Sequence, residues 1–223
     1  MRYKAKTAQD AESARAWLRE NLQPADVVTE RGGKWYSSAI RWFTRHSGEP
    51  ETWGSHSGII GVTSNYIQAL ARVVDCPVSE WQLPGEFEVH RNIRLSRGAR
   101  LHVAAQAEDY LGRKYGVLKI ACHALDGFFG KIAGRDVYFT RRLCRMRQYP
   151  ICSWVVSFAY ARADCFFLGK APAQASPDDI HDHVVRSSDW VRVAKRLPGG
   201  GFVLAEILEV GKNAEVISCT KID

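Results

Sequence analysis

Residues 152–163, Cys-Ser-Trp-Val-Val-Ser-Phe-Ala-Tyr-Ala-Arg-Ala, form a helix pattern so strongly apolar that it belongs inside a core. Pro150 stands just ahead of it and Ser153 suits its first turn. Upstream, His56 to Val62 and Tyr66 to Leu70 are two apolar runs broken by Thr63-Ser64-Asn65, the spacing of paired strands in a hairpin. A helix that must be covered and a hairpin that can cover it predict an α+β fold, an antiparallel sheet packed against the Cys152 helix. With 223 residues, 46% of them apolar, the chain can bury one core of moderate size but hardly two.

The rest of the pattern fills in around that pair. Residues 8 to 22, with Ala11, Ala14, Trp17, Leu18 and Leu22 at helical spacing, predict an amphipathic helix ended before Pro24. Asp26 to Thr29 reads as a short strand, followed by a Gly32-Gly33 turn and a helical pattern through Trp35, Ile40, Trp42 and Phe43. A strand is expected around Phe87 to Leu95, with Glu88, His90 and Asn92 on one face and Phe87, Val89, Arg91 and Ile93 on the other. Leu101 to Leu111 reads as helix, and Gly112 to Tyr149 as cationic helix and loop over the surface. Ser176-Pro177-Asp178-Asp179 opens a short helix, and beyond it lie a Pro198 to Gly201 turn and two strand candidates, Phe202 to Val210 and Glu215 to Cys219. The expected organisation is a helical extension over 1–24, a main domain over 25–185 and an extension over 186–223 packed on it.

Several function classes drop out. The longest apolar stretch, Tyr115 to Gly134, is interrupted by Lys119, His123, Asp126 and Lys131, so no run of about 18 uncharged apolar residues exists to span a membrane. The basic start, Met1 to Lys6, runs into Gln9, Asp10 and Glu12 and does not resemble a secretory signal, which predicts a cytoplasmic or phage virion-associated protein. Six cysteines (Cys76, Cys122, Cys144, Cys152, Cys165 and Cys219) lack any C-x-x-C pair and are expected as reduced thiols. A net charge of +7 fits an anionic partner, whether nucleic acid, lipid headgroups or an acidic cell-wall polymer, and selects none of them.

Chemistry concentrates on Cys152. A thiol attacks only as thiolate, and a helix N-terminus with a neighbouring imidazole lowers its pKa most simply. The free N–H groups of that helix start are also suited to an oxyanion. His56 opens the first hairpin strand and Gln68 lies on the second, where its side-chain oxygen could hold the imidazole tautomer. Taken singly, Cys152 reads as a small buried hydrophobe and His56 as a structural histidine; their combination points to a Cys-His-Gln triad.

Further motifs run in a fixed order: Asp26-Val27-Val28, Ile40-Arg41-Trp42-Phe43-Thr44, Ser55-His56-Ser57-Gly58-Ile59-Ile60, Tyr66-Ile67-Gln68-Ala69 and Val78-Ser79-Glu80-Trp81. Leu111-Gly112-Arg113-Lys114-Tyr115, Cys152-Ser153 with Val156, Ala159 and Tyr160, and Ser176-Pro177-Asp178-Asp179-Ile180 complete the set. In this order, over about residues 26 to 182, the chain resembles the circularly permuted papain-fold cysteine hydrolases, YiiX-like relatives of the NlpC-type cell-wall peptidases. The resemblance implies a permuted papain-like fold with Cys152 as nucleophile, His56 as general base and acid, Gln68 as orienting residue, and Tyr115, Ser153 and Ser55 near the substrate. It implies hydrolysis of an amide in bacterial cell-wall peptide, with lipid or other acyl esters and thioesters as the alternative. Many members carry a carboxylate where Gln68 stands, and Lys114 and Gly116 replace the family's usual Pro and Asp; a neutral third residue implies a weaker Cys–His ion pair.

Other signals rank below this one. Asp178-Asp179-Ile180-His181-Asp182-His183 is rich in metal-ligand types, but with no thiol pair nearby it reads as a solvated helix start, so neither metal nor cofactor is expected. Cys144 lies among Arg141, Arg142 and Arg145 with no apolar helix behind it, a poorer nucleophile than Cys152. The arginines from Arg135 to Arg147, with Tyr138, Phe139 and Tyr149 between them, could follow an anionic polymer or lipid surface. No Gly-x-Ser-x-Gly elbow is present. Beside the hydrolase stands a reading from another class: a catalytically idle papain-fold module that binds or builds, for instance in a phage virion.

Overall fold

The computed structural model describes residues 3–8, 10–33, 35–45, 52–134, 137, 139–140 and 150–207. In chain order the elements are β1 (Tyr3–Ala8), α1 (Ala11–Asn21), β2 (Val27–Arg31), α2 (Trp35–Thr44), β3 (His56–Ile60), β4 (Tyr66–Ala69), β5 (Val73–Cys76) and β6 (Glu86–Asn92). Then come α3 (Arg97–Glu108), α4 (Val117–Ala133), α5 (Cys152–Ala161), a 3-10 turn (Phe167–Gly169), α6 (Pro177–Arg186), β7 (Trp190–Arg196) and β8 (Phe202–Ile207). The strands form one eight-stranded sheet in the order β1-β8-β7-β6-β2-β3-β4-β5, with every neighbouring pair antiparallel. The fold class is therefore α+β.

Strand alternation gives the sheet two apolar faces. Val27, Ile59 and Ile67 stand in register on one face and pack with Val155, Val156 and Ala159 of α5, Val103 and Ala107 of α3, and Ile180 and Val184 of α6. Val28, Ile60 and Tyr66 point the other way, onto Ala14 and Leu18 of α1 and the Val78–Trp81 segment. With eight of its ten residues buried, α5 fills the first core, as its composition requires. Asp10 caps α1 by accepting from the Ser13 N–H at 2.7 Å.

The sequence expectations miss three strands, β1, β5 and β7, and β7 pairs with β8 across the Pro198–Gly201 turn. The segment expected as surface helix and loop contains the 17-residue α4. Cys144, Cys219, the arginines from Arg135 to Arg147, Tyr138, Tyr149 and residues 208–223 lie outside the described residues.

Gly58 shows how closely the hairpin is built. A Cβ there would lie 2.3 Å from Tyr66 Cε2 and 2.6 Å from the Ile67 carbonyl oxygen, because the Tyr66 ring crosses directly over it. Gly58→Ala is expected to lower the thermal midpoint by roughly 5–10 °C, measured by calorimetry, because the backbone contact cannot yield. An unchanged midpoint would mean that the ring has another place to go.

Candidate active site

The site forms where the start of β3 meets the start of α5. Cys152 is the first helical residue after the Ile151 cap and is 4% exposed, so its sulfur lies at the positive end of the helix. The first N–H groups of a helix have no partner inside it, and that of Cys152 reaches the Tyr115 hydroxyl. His56 opens β3, and the next residue, Ser57, turns its backbone N–H toward the Cys152 sulfur. Gln68 pairs with Gly58 in the β3–β4 register, one diagonal step from His56 on the same face.

The electrostatics of Cys152 and His56 are mutual. Burial alone would raise the Cys152 thiol, but the His56 charge, a hydrogen bond from the imidazole, the Ser57 N–H and the Tyr115 hydroxyl outweigh it and lower the thiol below its ordinary range. Burial alone would push His56 down, yet the Cys152 charge and hydrogen bond, the Glu30 carboxylate and the Gln68 side chain raise it to about 9. Nε2 of His56 is enclosed and has no hydrogen bond of good geometry, and the Gln68 side chain acts on the ring. Such a pair favours thiolate and imidazolium at neutral pH.

Tyr115 is held over the nucleophile by backbone bonds on two sides. Its own N–H donates to the Ala71 carbonyl at 3.1 Å, and the next N–H, Gly116, donates to the Pro150 carbonyl at 2.9 Å. Gly112, at φ +77°, makes the turn that brings this segment back to β5. The Tyr115 hydroxyl stands 3.9 Å from the Cys152 sulfur, and burial followed by the sulfur's charge keeps the phenol well above its ordinary pKa, as a neutral donor.

Ser55 and Ser153 have other surroundings. The Ser55 hydroxyl accepts from the Gly32 N–H at 2.9 Å and donates to the Glu30 carbonyl at 3.2 Å, clipping the β2 turn to the entry of β3 while lining the cleft. Ser153 is wholly buried, its hydroxyl without a hydrogen-bond partner among the described residues. A cleft of about 790 Å³ opens over Cys152, His56, Gln68 and Tyr115, and Ile40, Ala69, Leu70, Leu83 and Ile151 form apolar parts of its wall.

The Ser176–Ile180 motif buttresses the site from behind. Ser176 and Asp179 form a reciprocal cap on α6, and Lys170 reaches Asp179 at 2.7 Å. Asp178 accepts from the Trp53 and Gly54 N–H groups at 2.9 and 3.0 Å, fixing the segment that leads into His56. Asp178, His181 and Asp182 bring possible metal-ligand atoms within 4.8 Å of one another. There His181 stacks on Trp53 at 4.1 Å and lies 3.6 Å from Glu88, while Asp182 pairs with Arg186 at 2.7 Å. Among the described residues, no disulfide joins Cys76, Cys122, Cys152 or Cys165.

Glu30 is the site residue that the sequence analysis passes over. On β2 it pairs in register with His56, and its Oε1 accepts from the Tyr66 hydroxyl at 2.8 Å. The signal available for it was Gly58, a glycine inside a strand, which marks a close approach by another group.

Among known proteins, no family model matches the chain, and no curated protein matches it. Five chains of solved structures match, among them the crystal structure of the metalloprotein yiiX from Escherichia coli O157:H7. That chain is 17% identical, with 79% of this chain and 98% of that one covered and a TM-score of 0.48.

Proposed function

We propose that the protein is a papain-like cysteine hydrolase acting by acyl transfer to water. The observation that carries this reading is the coupling of Cys152 and His56 at a helix start on the floor of an open cleft. The Cys152 thiolate adds to a substrate carbonyl carbon, and the helix-start N–H groups with the Tyr115 hydroxyl receive the oxyanion. His56 gives its proton to the leaving amine or alkoxide as the acyl–sulfur bond is established. It then takes a proton from water, which attacks the thioester and frees the carboxylate and Cys152.

For the substrate, the ordered motifs favour an amide of bacterial cell-wall peptide. A second reading, an acyl ester or thioester, is favoured by the apolar cleft wall and by the exposed Phe128, Phe129 and Ile132 on α4. Among the described residues no helix is long and apolar enough to cross a membrane, so contact with an acylated substrate would be made from the surface.

Iodoacetamide labelling across pH, with the modified cysteine located by mass spectrometry, tests the pair. Wild type is expected to label selectively at Cys152 below about pH 7, and His56→Ala to lose that selectivity. Labelling that begins only near pH 8.5, spreads over several cysteines and ignores His56 would overturn the hydrolase and favour a binding or virion-assembly role.

A further inference from the structure

A Cys–His pair whose third residue is neutral lacks a fixed negative charge to hold the imidazolium, and Gln68 cannot provide one. The sheet supplies a carboxylate from the opposite side. Glu30 on β2 faces His56 on β3 as its register partner, so the two side chains leave the same face of adjacent strands with Cβ atoms about 5 Å apart. Both line the cleft.

The carboxylate is also anchored. The Tyr66 hydroxyl donates to Glu30 Oε1 at 2.8 Å after the ring has passed over Gly58, the one strand residue type that leaves room for it. Tyr66 itself is fully buried against Trp81, ring centroids 4.7 Å apart, so the anchor is rigid. Three strands thus combine to fix one acid group: β2 carries it, β3 gives way to the ring, and β4 holds it.

Resting on the hydrolase reading above, we infer that Glu30 is a positioning residue of the site, the fixed counter-charge of the His56 imidazolium. Charge reaches His56 from Cys152 on α5 and from Glu30 on β2, while the Gln68 amide on β4 contributes a neutral dipole. Tyr66, the other titratable group against Glu30, is held neutral first by burial and then by the Glu30 charge itself. Arg31, next along β2, points to the other face and lies 3.9 Å from Glu86.

Glu30→Gln keeps an oxygen for the Tyr66 hydroxyl and removes only the charge. The basic limb of the His56 titration, followed by ring nitrogen NMR and by the pH profile of Cys152 alkylation, is expected to move down by about one pH unit in this variant. Tyr66→Phe, which loosens the anchor and keeps the charge, should move it by well under half as much. Glu30→Asp should restore most of the wild-type limb. A Glu30→Gln profile that superimposes on wild type overturns the inference, as does a Tyr66→Phe shift equal to that of Glu30→Gln, which would make the contact purely structural.

Should Glu30→Gln fail to fold, the wild-type protein still decides. Nuclear Overhauser contacts between the Glu30 side-chain protons and the His56 ring protons must be seen, as the β2–β3 register requires, and their absence rejects the pairing. Failure of the parent reading looks different: in that case wild-type Cys152 itself shows no selective labelling at low pH.

Discussion

Cys152→Ala is expected to abolish hydrolysis, by roughly a thousandfold or more in kcat, and to leave the fold intact. The side chain loses one sulfur atom from the rim of a core whose main contacts come from Val155, Val156, Ala159 and Tyr160, and it sheds a group that must be carried as a buried anion. Its thermal midpoint should stay within a few degrees of wild type. Release of free amine from cell-wall peptide and of free thiol from an acyl thioester gives the activity readout, and calorimetry gives the stability. A fully active variant removes Cys152 from the chemistry. If wild type turns over neither substrate while its Cys152 labels selectively, the scissile bond belongs to another carbonyl class. The wild-type profile should fall as pH rises through about 9, where His56 loses the proton that an amine leaving group needs.

Arg91→Met is expected to be the most damaging single change to stability. Arg91 grips Asp26 with two hydrogen bonds, at 2.8 and 2.7 Å, and donates a third to the Asn21 carbonyl at 2.7 Å. Asp26 also accepts from the Gln23 N–H at 2.8 Å, so one buried pair ties the end of α1 to β2 and β6. Removing the cation leaves an uncompensated buried carboxylate, which costs about 3–5 kcal/mol and should lower the midpoint by roughly 10–15 °C in a chain of this size. Replacing both partners, Asp26→Leu with Arg91→Met, should recover most of that loss, because two apolar side chains need no desolvation. A double variant as unstable as the single one would place the cost in the Asn21 and Gln23 contacts instead.

Much of the core and the hairpin that carries His56 and Gln68 was legible because each rests on local pattern. The α5 helix shows its burial in composition, and the β3–β4 hairpin shows its turn. What escaped depends on partners far away in sequence. β7 carries Arg192, Lys195 and Arg196, and two of these cations lie against the buried Glu88, Lys195 at 2.8 Å and Arg192 at 3.6 Å. Sequence spacing gives no sign of that pairing. Glu30 escaped for the same reason: at a strand end it looks like an ordinary solvated acid until the β2–β3 register sets it against His56. Ser153 suited a helix start by type, but the cap is Ile151 and the Ser153 hydroxyl faces inward without a hydrogen-bond partner among the described residues. β1 and β5 are edge strands whose pairing depends on β8 and β4 rather than on their own pattern.

On the hydrolase reading, the strand order also sets when Cys152 meets its partners during synthesis. β2 to β5 are consecutive and can pair as soon as they leave the ribosome, so His56, Gln68 and Glu30 assemble early. Cys152 emerges much later, and β1 must wait for β8 before the sheet edge next to it can form. Until α5 docks beside β3, the thiol has neither imidazole nor helix field around it and behaves as any cysteine would. On the hydrolase reading, then, the nucleophile is armed by the same docking that completes the core.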